Sequence, residues 1–291
     1  MQAPVPFPAF RLFRPDRRDT PVIFSSPHSG KDYPAALLLR SPLDEQAIRS
    51  SEDAFVDELF ARAPQWGAPL IAARVPRAYV DLNRAVDELD PALIEGVIRA
   101  PHNPRVSSGL GVIPRVVANG RAIYTGKIPL REAQMRIDTL WHPYHQALRT
   151  LIGESLEMFG EAVLIDCHSM PHEAIEAHAR PGQPRPEVVL GDRFGAAAGR
   201  EVMELVESAF LEAGLRVARN APFAGAYIAQ AYGRPSRCQH VVQIEIDRAL
   251  YMDEARIERR PDFAEFEALM AGVIARLAAG FGRQGLPLAA E

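Results

Sequence analysis

The chain has 291 residues, 47% of them hydrophobic and 24% charged, with a formal net charge of -4. That balance suits a folded globular chain with a large core, in one domain or two closely joined ones. It leaves no basic footprint for nucleic acid or an anionic membrane. Two cysteines, Cys167 and Cys238, are too few for a disulfide framework and fit a reducing compartment.

The opening stretch MQAPVPFPAFRLFRPDRRDT has three prolines in its first eight residues and no apolar segment of signal-peptide type. No run is long and apolar enough to span a bilayer, so a cytoplasmic protein is expected. Residues 1–19 read as an irregular arm on a single domain covering 1–291. PVIFSS (21–26) is the first predicted strand. SPLDE (41–45) carries a serine cap, a proline at the first helical position and early acids, which predicts a helix continuing through SSEDAFVDELFARA (50–63). PLIAARV (69–75) and AYVDLN (78–83) are short apolar stretches of strand type. The Pro- and Gly-rich segment 91–129 reads as loops and short strands. Residues 130–160 form a long helical pattern, with Pro143 expected to kink or break it. EAVLIDCHS (161–169) is the clearest strand. A helix at about 192–213, strands at LRVARN (215–220) and CQHVVQIEID (238–247), and an amphipathic helix over 261–281 complete the chain. This alternation predicts an α/β fold with a largely parallel sheet.

In such sheets ligands gather beyond the carboxyl ends of the strands. Several predicted strands end on reactive groups: His28, Asn83 with Arg84, and His168, while VVQIEID carries Glu245. His28 and His168 are too far apart in sequence for a local metal motif. Two histidines and one carboxylate with an open fourth position are nevertheless a common catalytic zinc set. Asp32, Glu52 and Asp53 are the candidate carboxylates, and helical periodicity favours Glu52. Alternation puts Gln243, Glu245 and Asp247 on one face of their strand. A carboxylate there needs a partner, either an arginine or the proton of an attacking water. Arg84 offers a planar fork for a substrate carboxylate, and Asn83 an amide hydrogen bond beside it. Cys167 points away from His168 on the strand, which disfavours a Cys-His pair. The chain has no G-x-S-x-G elbow and no G-x-G-x-x-G or Walker sequence. His142 and His145, in WHPYHQAL, are expected to pack with Trp141 and Tyr144. His102, His172 and His178 have no assigned role.

The ordered set PHSGKDYP, SEDAFVDEL, YVDLNR, YTGKIP, WHPYHQAL, LIDCHSMP, NAPFAGAYIAQAYGRP and QIEIDRALYMDE resembles the N-formylglutamate amidohydrolase (deformylase) family over about residues 20–255. The resemblance implies a three-layer, phosphorylase/hydrolase-like α/β sandwich related in plan to the zinc carboxypeptidases. It implies hydrolysis of N-formyl-L-glutamate to formate and L-glutamate, a late step in one route of histidine degradation. By position it implies one divalent metal, zinc, held by His28, Asp53 and His168, with Glu245 as general base and Arg84 as carboxylate anchor. In the stretch NAPFAGAYIAQAYG, family members carry an arginine and a Gly-Gly pair, whereas this chain has Pro222, Ala226 and Gln230. Asn220 and Arg234, which flank that departure, are candidate further substrate contacts. The competing expectations are hydrolysis of another acyl amino acid or peptide, and non-catalytic binding of an acidic metabolite.

Overall fold

Strands buried on both faces read as continuous apolar runs, and the centre of this chain is built from three of them. In the computed structural model, residues 7–98, 103–176 and 185–282 are described. Seven strands form the main sheet: β1 Phe10–Phe13, β2 Val22–Ser26, β3 Leu70–Ala73, β4 Ala162–Met170, β5 Val188–Gly191, β6 Val217–Arg219 and β7 Gln239–Asp247. Their order is β1-β3-β2-β4-β7-β5-β6. The run β3-β2-β4-β7 is parallel. The pairs β1-β3 and β5-β7 are antiparallel, and β6 runs parallel to β5. The fold is therefore α/β with a mixed, mostly parallel sheet.

The helices of six or more residues are α1 Leu130–Arg136, α2 His142–Phe159, α3 Arg200–Leu211, α4 Tyr227–Tyr232 and α5 Phe263–Gly280. Strand alternation sorts the core onto two sides of the sheet. Ile23, Leu164 and Val241 join Leu148 and Leu151 of α2 in one apolar cluster. Val22, Phe24, Val163, Ile165, Val242 and Ile244 join α3 and α5 in the other. No described helix is long and apolar enough to cross a membrane.

Several sequence expectations change. Phe10–Phe13 is an edge strand inside the supposed irregular arm, pairing residue for residue with β3. Strand β5, absent from the sequence reading, is a short buried run entering between β7 and β6. The helix expected from residue 41 begins at Glu45, because Asp44 caps it by accepting from the Ala47 N–H at 2.7 Å. It ends at Arg49, and a new short helix starts only at Val56. Between them Phe55 has φ +65°, a left-handed conformation that stops helix propagation. AYVDLN is a buried turn segment, not a strand. Pro143 does not break its helix. A π-helical turn over Ile137–Trp141 joins α1 to α2, placing the proline in the first turn of α2, where its missing N–H matters least.

Candidate active site

Strands β2 and β4 are neighbours, as are β4 and β7, so whatever leaves their carboxyl ends on one face converges. His168 and Glu245 are in direct register across β4 and β7. His28 follows β2 in a tight turn. Gly30 lets that turn press against the next loop, since a Cβ there would lie 2.0 Å from the Val75 carbonyl oxygen. Asp53 arrives from the break between the two short helices, and its N–H donates to the His28 carbonyl at 3.1 Å.

The three side chains meet as a triangle. His168 Nδ1 lies 3.0 Å from Asp53 Oδ2 and 3.1 Å from His28 Nδ1. His28 Nδ1 lies 3.4 Å from the same Asp53 oxygen. All three residues are at least 97% buried. Each imidazole leans outward on a carboxylate: His28 Nε2 on Asp81 Oδ1 at 2.7 Å, and His168 Nε2 on Asp166 Oδ2 at 3.0 Å. A carboxylate only accepts, so each Nε2 carries the proton, an assignment made from the network. Both Nδ1 lone pairs then face each other and an anionic oxygen. Three lone pairs converging in a dry site need a positive charge between them. Tetrahedral bonds of about 2.0–2.2 Å require ligand atoms about 3.3–3.6 Å apart, so the triangle is within a few tenths of an ångström of that frame. Histidine backed by carboxylate is also the usual outer support of a metal-ligating imidazole. The donor set fits a divalent cation.

Charge around the triangle is balanced. When protons on the Nδ1 atoms rather than a cation supply that positive charge, burial would raise the Asp53 pKa, but hydrogen bonds from His168 and His28 hold it well below the usual carboxylate range. Burial opposes charge on His168, yet Asp166 and then Asp53 raise its pKa well above normal. Asp81 is likewise held low against burial by His28, Arg77 and Arg84. Arg77 bonds the second Asp81 oxygen at 2.9 Å. Glu245 is different: burial dominates, and its pKa is pushed up to about 7 against the pull of His168. Gln243 Nε2 donates to Glu245 Oε1 at 2.8 Å.

The other candidates have definite places. Glu52 is occupied by Tyr33 and Arg49, and Asp32 by Arg74, which leaves Asp53 as the carboxylate of the cluster. Asn83 sits at the centre as a positioning group. Its amide nitrogen donates to Asp166 Oδ2 at 3.2 Å, and its oxygen accepts the Ile228 N–H at 2.7 Å. Arg84 is buried in the same turn, bonded to the carbonyls of Leu110 and Asn83. No carboxylate lies within 4.0 Å of it among the described residues. Burial lowers its pKa, with Asp81 opposing.

The structure does not bring Asn220 and Arg234 to the cluster. Strands β5 and β6 run against β7, so their carboxyl ends stop at the level of Gln243, and there, two strands to the side of β7, Asn220 bonds Asp192 at 2.8 Å. Arg234 pairs with Gln239 at the start of β7, six residues or about 20 Å before Glu245. Its guanidinium is spent on the carbonyls of Gly233 and Gln230. The divergent stretch between them does reach the site, but through its backbone: the Ala226 N–H donates to Gln243 Oε1 at 2.9 Å. Cys167 points into the opposite core. His145 is fully buried between Tyr232 and the Leu82 carbonyl, stacked on Trp141, and burial pushes its pKa down to about 3. It is a packing residue, as its sequence context suggests. His172 bonds Asp247 at 2.8 Å, while His102 and His178 lie outside the described residues.

Sequence reasoning missed Asp81, Asp166, Arg77 and Arg248. A signal existed for one: alternation puts Asp166 on the same face as His168. Arg248 donates from Nη2 to Asp53 Oδ1 at 3.0 Å. It also lines a cavity of about 550 Å³ shared with Arg49 and Glu254. A second cavity, about 440 Å³, lies by Asn220 and Arg219. Neither is lined by the two histidines or Asp53, so cavity size does not locate the reactive groups here. The convergence of side chains does.

A mostly parallel sheet with reactive groups gathered beyond adjacent strand ends defines an α/β enzyme. The N-formylglutamate amidohydrolase family profile matches residues 20–252. An N-formylglutamate deformylase of Pseudomonas aeruginosa is 30% identical over 86% of this chain and 89% of its own length. One from Pseudomonas putida is 31% identical over 84% and 87%. The crystal structure of an N-formylglutamate amidohydrolase from Ralstonia eutropha superposes with a TM-score of 0.89 at 35% identity, covering 96% of this chain and all of that one. A protein of Agrobacterium tumefaciens shares the fold alone, with a TM-score of 0.62 at 15% identity. The chain belongs to the N-formylglutamate amidohydrolase family.

Proposed function

We propose that this protein is a metal-dependent amidohydrolase that cleaves N-formyl-L-glutamate to formate and L-glutamate, on a zinc-carboxypeptidase-like plan. The observation that carries the metal reading is the closed triangle of His28 Nδ1, Asp53 Oδ2 and His168 Nδ1, with sides of 3.0–3.4 Å. The substrate reading rests on family membership and on the names of the relatives. Two imidazoles and one oxygen suit zinc, and these three residues would hold it. Such an ion, when bound, supplies Lewis acidity toward an amide carbonyl and makes water a better nucleophile near neutral pH.

The remaining work belongs to the chain. Glu245, in register with His168, accepts a proton from the attacking water as a C–O bond forms at the formyl carbon. It then delivers a proton to the amine nitrogen as the C–N bond breaks. A carboxyl with a pKa of about 7 suits both duties near neutrality. Asn83, Asp81 and Asp166 fix the imidazoles. Arg84 is a buried guanidinium without an acidic partner among the described residues, which makes it the anchor for a substrate carboxylate. On this reading the reaction is a late step in one route of histidine degradation, carried out in the cytoplasm.

The test combines metal content with formate release from N-formylglutamate, using wild type, His28→Ala and His168→Ala. Wild type is expected to carry one zinc per chain and release formate, and both variants to lose metal and turnover. Variants that keep as much metal as wild type would place the ion elsewhere. A panel of N-acyl amino acids on which another acyl group wins would overturn the substrate assignment.

A further inference from the structure

Arg248 begins the turn after β7, where Asp247 caps the chain by accepting the Ala249 N–H. That turn directs Arg248 back under the sheet end, where it is 94% buried. Its Nε donates to Ser169 Oγ at 3.1 Å, next to His168 on β4. Its Nη2 donates to Asp53 Oδ1 at 3.0 Å, and Nη1 reaches the Ser50 carbonyl at 3.4 Å. The guanidinium therefore ties β4 and the Ser50–Asp53 segment together around one carboxylate.

The two oxygens of Asp53 are thereby divided. Oδ2 faces both histidines, and Oδ1 is held by Arg248. A free carboxylate can offer a metal one oxygen or both. With both engaged, the ligand set gains a fourth protein atom, which raises the coordination number and crowds the position needed for reacting groups. We infer that Arg248 is a positioning residue that restricts Asp53 to a single ligating oxygen and so keeps one coordination position open. The inference rests on the cation reading above. It predicts an unusual split: a guanidinium beside a ligand does not strengthen cation binding, so its removal should spare metal affinity while altering geometry and turnover.

Cobalt(II) reads this directly, because four-coordinate cobalt absorbs visible light far more strongly than five-coordinate cobalt. Metal-free wild type, Arg248→Met, Arg248→Lys, Ser169→Ala and His28→Ala are each loaded with one equivalent of Co²⁺. Wild type is expected to show intense bands that His28→Ala lacks. Arg248→Met should retain its cobalt but show the weaker bands of higher coordination, and formate release should fall about ten- to a hundredfold. Arg248→Lys, which keeps a donor for Oδ1, should recover part of the band intensity. An Arg248→Met spectrum identical to wild type would overturn the inference. If that variant does not fold, Ser169→Ala decides: it removes the Nε acceptor and should shift the bands in the same direction to a smaller extent, and an unchanged spectrum again refutes the clamp. Identical spectra for wild type and His28→Ala would overturn the cation reading and this inference together. Cobalt bound at the three ligands without formate release would overturn only the substrate assignment.

Discussion

Replacing Glu245 with glutamine separates its chemistry from its cost to the fold. The change keeps shape and removes charge, and the Gln243 amide can still donate to the carbonyl oxygen that replaces Oε1. General acid-base catalysis contributes about 10²–10⁴ in rate, so kcat should fall at least about a hundredfold. Stability should move the other way. The Glu245 pKa rises from an ordinary 4.5 to about 7 because burial disfavours its charge. A raised acid binds more protons folded than unfolded, so its contribution is fully present below the unfolded pKa. It is lost as pH rises through the folded one. The difference of about 2.5, at 1.36 kcal/mol each, makes a loss on the order of 3 kcal/mol between pH 4.5 and 8 in metal-free protein. Urea unfolding of metal-free wild type and Glu245→Gln across that range should show the variant gaining about that much relative to wild type. Parallel stability curves would mean that Glu245 carries no raised pKa. Near-normal formate release would move the proton-transfer role to another group.

Arg84→Lys should raise KM for N-formylglutamate with little change in kcat. Arg84→Ala should cost on the order of 2–5 kcal/mol in kcat/KM, because a lysine or a void cannot hold a desolvated carboxylate bidentately. An uncharged formyl amide losing activity equally in Arg84→Ala would refute the anchor. Asp81→Asn and Asp166→Asn should each weaken zinc affinity about 10–100-fold in chelator competition, since an amide supports an imidazole less well than an anion does. Unchanged affinity in both would reduce those hydrogen bonds to packing.

The sequence by itself determined the buried strands and the reactive ends of three of them. Apolar runs fix β2, β4 and β7 because burial on both faces selects for them. Period-two alternation puts Gln243, Glu245 and Asp247 on one face without any knowledge of neighbours. Periodicity failed at Asp53, where it favoured Glu52. Phe55 breaks the helix, so the stripe that seemed to carry Glu52 does not exist. It failed again at YVDLN, an apolar run in which Asp81 and Asn83 are buried by polar partners: the Asp81 N–H donates to the Val112 carbonyl while its carboxylate holds His28. Only the tertiary structure decided these points. It also placed Arg248 on Asp53, 195 residues away, set Asn220 two strands to the side of β7 through the antiparallel β5, and left Arg234 at the start of β7. The physical reason is one of range. A residue pattern reports which side of its own element is dry, whereas strand direction, loop path and the partner of a buried charge are set by contacts between segments far apart in the chain.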